Sequence, residues 1–134
     1  LNEEGFVGSY NEAFYKYIGD GKPAYIRKPN TSAKDAIDLI SASGGLSFVA
    51  HPGRFVSDDV FARLISYGLD GIEIVHPSHK KEDMANLQRT AELNFLLTSG
   101  GSDYHGGSRN DHKNFGSYYV TIDQINNMKR RLTY

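Results

Sequence analysis

Three short apolar runs constrain this chain more than any other feature. LSFVA, GIEIV and FLLT begin at residues 46, 71 and 95. Each is of strand length, and the segments between them carry a helical period. Ala33, Ala36, Ile37 and Ile40 precede the first run at helical spacing. Val60, Phe61, Leu64 and Ile65 fill the first interval, and Met84, Leu87 and Ala91 the second. The first set stands at i, i+3, i+4 and i+7, one buried helix face, and the other two make apolar stripes of helical spacing. Strand and helix alternating at this interval read as βαβ units with a parallel sheet. Runs this apolar suit strands covered on both faces. The fold class expected is therefore α/β.

The flanks add three expectations. YYVT at residues 118–121 reads as a fourth strand, and Ile122, Ile125, Met128 and Leu132 as a closing helix. Near the start, SYNEAFYKYI at 9–18 reads as a helix, because Ser9 and Glu12 have capping-box spacing. Between it and residue 31 lies GDGKPAYIRKPN, with a short extended piece at 24–27. This Gly/Pro-rich stretch is the best boundary in the chain.

Composition narrows the chemistry. Fifteen Lys and Arg face sixteen Asp and Glu, for a net charge of −1. That balance gives no basic stripe for duplex nucleic acid and no acidic tail. Cysteine is absent, so disulfides and thiolate metal sites are excluded. A metal would need imidazole and carboxylate ligands. No apolar run approaches the ~18 residues of a membrane span, and no signal peptide is visible. The expectation is a soluble cytoplasmic domain.

The histidines fall in a pattern. His51-Pro52-Gly53-Arg54 follows the first run, His76-Pro77-Ser78-His79 the second, and Asp103-Tyr104-His105 the third. In parallel α/β folds the strand C-termini share one edge, where sites form. Residues far apart in sequence then converge. Gly100, Gly101, Gly106 and Gly107 flank Asp103 and His105, and their backbone freedom permits a sharp turn after the strand. Neutral imidazole is the commonest metal ligand, and a carboxylate can neutralise or bridge cations. Arg54 shares a loop with His51, and its fork matches phosphate oxygens. Plainer readings stand beside these. A histidine after a strand can be a hydrogen-bonded loop residue, His-Pro can simply shape a turn, and His112 in SRNDHKN reads as solvated. Lys129, Arg130 and Arg131 read as compensation of a helix dipole. No GxGxxG, GxSxG or HExxH motif occurs.

AHPGRF at 50–55, GLDGIEIVHPSH at 68–79 and SGGSDYHG at 99–106, in that order, resemble the C-terminal half of a PHP (polymerase and histidinol phosphatase) phosphoesterase. The nearest subgroup hydrolyses nucleoside bisphosphates or trims short RNA from the 5′ end. GSYNEAFYKYIGDGKPAYI at 8–26 resembles a small helical insertion of that subgroup. Tyr104 stands where the family usually has Phe. The resemblance implies a partial distorted (β/α)7 barrel, with residues 1–30 the tail of the helical insertion or lid and residues 31–134 the C-terminal half of the barrel. It implies His51, Asp103 and His105 as metal ligands and catalytic residues, with Arg54, His76 and His79 facing the substrate phosphate. The cofactors implied are two or three divalent ions, manganese, iron or zinc. At most one is expected here, because the family's His-x-His motif is absent and no histidine precedes residue 51. The chain is accordingly expected to be a fragment, nearly inactive alone, whose open sheet edge promotes self-association. The expected partner is a phosphorylated small molecule or short oligonucleotide, with no membrane. Two alternatives remain: a non-catalytic PHP module of a larger protein such as a DNA polymerase, and an unrelated α/β binding domain.

Overall fold

The computed structural model describes residues 1–27 and 31–133. Its contacts divide the chain into two compact units, Leu1–Thr31 and Ser32–Tyr134.

In the first unit Ser9 caps helix α1, Tyr10–Ala13, by accepting the Glu12 N–H at 3.2 Å. The expected capping box is only half formed. Glu12 reaches past Ser9 to accept the Gly8 N–H at 2.7 Å and also pairs with Lys16. The helix expected over 9–18 does not run through as a single type. From Phe14 to Ile18 it widens into a π-helical turn. The piece at 24–27 forms no strand. Instead Ala24 N–H donates to the Tyr17 carbonyl and Tyr25 N–H to that of Lys22, which folds the segment into turns.

The second unit is α/β. Helix α2, Ala33–Ala42, starts at Ser32, whose hydroxyl accepts the Asp35 N–H. Then come β1 (Phe48–Val49), α3 (Asp58–Ser66), β2 (Gly71–Val75), α4 (Lys81–Leu93) and β3 (Leu97–Gly100). The last helix, α5, is Ile122–Leu132. The three strands form one parallel sheet in the order β1-β2-β3. At its N-terminal edge Asp70 accepts both the backbone N–H and the hydroxyl of Ser47, at 2.8 and 3.0 Å. That staple aligns the starts of β1 and β2.

The core is built where periods of two and 3.6 meet. Ile72 and Ile74 point to one face of β2, against Phe61 of α3 and Leu87 and Ala91 of α4. Ile72 is fully buried, a burial that contributes about 1.5–3 kcal/mol. Glu73 and Val75, on the opposite face, are only half-buried. The central strand is therefore not covered equally on both sides, contrary to the reading from its composition.

Two element boundaries also differ. Leu97 opens β3, two residues later than FLLT suggested. Phe95 is instead an exposed, left-handed residue (φ 54°) just past the end of α4. Residues 118–121 form no strand among the described residues. Thr121 is taken by the capping box of α5: its hydroxyl accepts the Gln124 N–H, and its own N–H donates to Gln124 Oε1 at 2.7 Å. Gln124 in turn donates to Thr98 Oγ1 of β3 at 2.7 Å, which ties α5 to the sheet. Among the described residues no helix is long and apolar enough to cross a membrane.

Candidate active site

Because the strands are parallel, their C-terminal ends open on one rim. His51 follows β1, His76 follows β2, and Asp103 and His105 follow β3. The rim joins them in sequence. The His51 and His76 rings lie 5.2 Å apart, and those of His76 and His79 5.4 Å apart. His76 Nε2 is 3.6 Å from Asp103 Oδ2, and His105 Nδ1 is 3.9 Å from that same oxygen. Five of the six residues singled out in the sequence thus form one contiguous row. Arg54 stands apart. Its guanidinium lies 5.8 Å over the Phe55 ring, and it lines a cleft with Val56, Asp58 and Asp83 beside α3 and α4.

The rim is held by unusual backbone. His51 and Asp103 are both left-handed, at φ 31° and 47°. This region disfavours residues with a Cβ, and such outliers cluster at functional sites. The glycines around Asp103 divide: Gly106 and Gly107 turn at positive φ (68° and 82°), as expected, while Gly100 and Gly101 do not. The left-handed step after β3 falls on Asp103 itself. Gly100 serves close approach instead, since a Cβ there would lie 2.4 Å from Val75 Cβ. Gly107 combines φ 82° with a ring in the way, because its Cβ would meet His112 Nε2 at 2.0 Å.

Side chains then pin these loops through backbone N–H groups. Glu73 Oε2 accepts the His51 N–H at 2.6 Å. Asp111 Oδ2 accepts the His105 N–H at 2.5 Å. His79 Nε2 accepts the Gly53 N–H at 3.0 Å. Neither Glu73 nor Asp111 was singled out in the sequence. Glu73 did leave a signal, as the single charged residue inside an apolar strand. Asp111 left none, because SRNDHKN has no period to break.

Backbone partners fix the proton positions, since a carbonyl only accepts and an amide N–H only donates. His79 Nδ1–H donates to the Ile74 carbonyl at 2.7 Å, so Nε2 is free to accept from Gly53. His105 Nδ1–H donates to the Asp103 carbonyl at 2.6 Å, leaving its Nε2 lone pair for a ligand. His76 is the reverse. Its Nδ1 accepts the Ser78 N–H at 3.1 Å, so the neutral ring carries its proton on Nε2. That Nε2 is buried and has no hydrogen-bond partner. A buried donor left unpaired is costly, and this one points toward Asp103.

Asp111 is buried. Burial pushes its carboxyl upward, but N–H groups of His105, Gly107 and Asp111 itself, with the His105 imidazole nearby, outweigh it. The carboxyl is held below the ordinary carboxylate value.

The donors present suit a divalent cation in kind. His105 offers Nε2 while its Nδ1–H is anchored to a carbonyl, the usual arrangement for a metal-binding histidine. Asp103 adds a half-exposed carboxylate and His51 an exposed imidazole. These are N and O ligands of the type that zinc or manganese accepts. They do not form a closed cage: among the described residues, no three His, Asp or Glu side chains converge closely enough to hold a metal ion.

No family model matches the chain. Relatives do. Over 110 residues it is 36% identical to a 3′,5′-nucleoside bisphosphate phosphatase of Chromobacterium violaceum, covering 78% of this chain and 39% of that protein. It is 32% identical over 110 residues to a 5′-3′ exoribonuclease of Haemophilus influenzae, covering 78% of this chain and 40% of that one. Among solved structures, a metal-dependent phosphoesterase of Bifidobacterium adolescentis matches with a TM-score of 0.78 at 28% identity. That match covers 98% of this chain and 47% of the other. The chain thus spans about two fifths of the length of these curated relatives. It is a relative of the nucleoside bisphosphate phosphatases and 5′-3′ exoribonucleases, the PHP-like phosphoesterase group that its strand-end motifs resemble.

Proposed function

We propose that this chain is part of a metal-dependent phosphoesterase that hydrolyses phosphate esters of nucleotides or short oligonucleotides. The observation that carries this reading is the unbroken row from His51 through His76 to Asp103 and His105, with left-handed backbone at His51 and Asp103. In this reading residues 1–30 correspond to the helical insertion and residues 31–134 to the barrel portion. The setting is the cytoplasm, where a chain without cysteine forgoes no disulfide.

His51, Asp103 and His105 would each supply one ligand to the cation, manganese, iron or zinc, without closing a cage around it among the described residues. When bound, the metal supplies Lewis acidity, lowering the pKa of a water and neutralising charge on the phosphate oxygens. The chain's own groups do the rest. His105 presents Nε2 because Asp103's carbonyl holds its other nitrogen. Asp103 offers its carboxylate between His76 and His105. His76 presents an unpaired N–H donor at the rim, which a phosphate oxygen would satisfy. Arg54 would have to leave the Phe55 ring to meet the phosphate, where its charge would stabilise the transferring group.

One experiment tests the assignment. Mn²⁺ is titrated into the chain and into its Asp103→Ala and His105→Ala variants, with phosphate release from adenosine 3′,5′-bisphosphate followed in parallel. The wild type is expected to bind at most one Mn²⁺ per chain and each variant to bind at least tenfold more weakly. Phosphate release by the chain alone should stay close to background. Affinity unchanged by both substitutions would end the proposal. The open arrangement of donors favours a second reading, a non-catalytic module of a larger protein. A folded wild-type chain that binds neither Mn²⁺ nor Zn²⁺ would select it.

A further inference from the structure

His79 lies in the row of imidazoles but has no nitrogen to spare. It is 7% exposed. Its Nδ1–H donates to the Ile74 carbonyl of β2, and its Nε2 accepts the Gly53 N–H. Neither bond can reverse, because both partners are backbone groups of fixed role. A ring so committed cannot bind a metal or donate to a phosphate without releasing one of them. What it does hold is specific. Gly53 lies two residues beyond His51, in the turn that also carries Arg54. That turn is left-handed at both His51 and Gly53, φ 31° and 51°. A turn conformed in this way persists only when its surroundings over-determine it.

We infer that His79 is a positioning residue: it pins the His51–Arg54 turn to the end of β2 and touches neither metal nor phosphate. It acts through the Gly53 N–H, as Glu73 acts through that of His51. Together they fix the turn at two points, and the His51 imidazole is aimed as a result. The inference rests on His51 being part of the site, yet the hydrogen bonds it names are measurable with no metal present.

The test is nuclear magnetic resonance on the chain, selectively labelled at histidine and glycine. His79 should show a protonated Nδ1 and an unprotonated Nε2. Its ring nitrogens should keep those shifts when Zn²⁺ or inorganic phosphate is added. In His79→Ala the Gly53 amide should exchange with solvent about tenfold faster or more, as loss of one hydrogen bond implies. His79→Gln, whose side-chain oxygen can still accept that N–H, should recover most of the protection. Where Zn²⁺ binds, its affinity should fall in the Ala variant and return in the Gln variant. A His79 ring that changes tautomer or coordinates on Zn²⁺ addition overturns the inference, as does a Gly53 amide indifferent to both substitutions. If the Ala variant does not fold, the wild-type tautomer and the Gln variant decide. Failure of Zn²⁺ to bind at all would count against the proposed site and leave the Gly53 result to judge His79.

Discussion

His51 and Asp103 hold backbone conformations that their side chains disfavour, and at His51 the two effects can be separated. A left-handed residue with a Cβ costs roughly 1–2 kcal/mol, while glycine returns about 0.5–1 kcal/mol through unfolded-state entropy. The Glu73 bond is to the His51 backbone, so it survives loss of the side chain. His51→Gly should therefore leave stability unchanged or raise it by about 1 kcal/mol or less, while Mn²⁺ affinity falls. Urea unfolding beside a Mn²⁺ titration checks both. A clear loss of stability would mean that the imidazole itself supports the fold. Asp111 gives a prediction in pH. Its folded carboxyl lies below the ordinary value, so its contribution is present above about pH 4, the unfolded value. That contribution is lost as pH falls through the lower folded value. Wild type and Asp111→Asn should differ in urea stability by a constant amount from neutrality to about pH 4, and the difference should shrink below that. An undiminished difference in strong acid would remove the carboxylate from the account. The two residues also differ in legibility. His51 was readable because it directly follows an apolar run. Asp111 was not, because its bond to the His105 N–H spans a loop and imposes no pattern on the sequence.

At the scale of elements, βα alternation was legible wherever burial enforces a period, as in α3, β2 and α4. The misread places are those where local hydrogen bonding overrides propensity. Tyr118 to Thr121 has strand composition, but Thr121 is drawn into a helix cap. Phe95 belongs by hydropathy to a strand, yet it serves the left-handed exit from α4. Of the glycines expected to let the third loop turn, Gly106 and Gly107 do so at positive φ, while the reason at Gly100 is contact with β2 rather than turning. Gly100→Ala should force β2 and β3 apart at Val75 and cost about 1–3 kcal/mol. It should also speed exchange of the Gly101 amide, which donates to the Val75 carbonyl at 2.9 Å. Denaturation and amide exchange read these effects, and a neutral substitution would show that the approach is relaxed in solution.

Among the described residues the largest fully buried side chain is Ile72, and Phe55, Phe95, Phe115 and Ile122 are each more than two-thirds exposed. Among the described residues the sheet has three strands, with β1 and β3 at its edges. Unpaired edges and apolar surface favour association. Sedimentation velocity should show a weight-average mass that rises with concentration, and a single monomeric species throughout would refute this. The relatives' names agree with the chemistry inferred from the strand ends. Where the resemblance implied a partial barrel, the described residues show a small parallel sheet of three strands.

The amide pins at Glu73, His79 and Asp111 have a consequence for how such a rim diverges over evolutionary time. On the proposed function none of the three needs to meet the substrate, yet each holds a backbone N–H of a rim turn: those of His51, Gly53 and His105. Substitutions among them can retune geometry by fractions of an ångström while the reacting groups stay constant. On the proposed function, two descendants would then differ in ester preference although every residue assigned to meet the ester is identical in both.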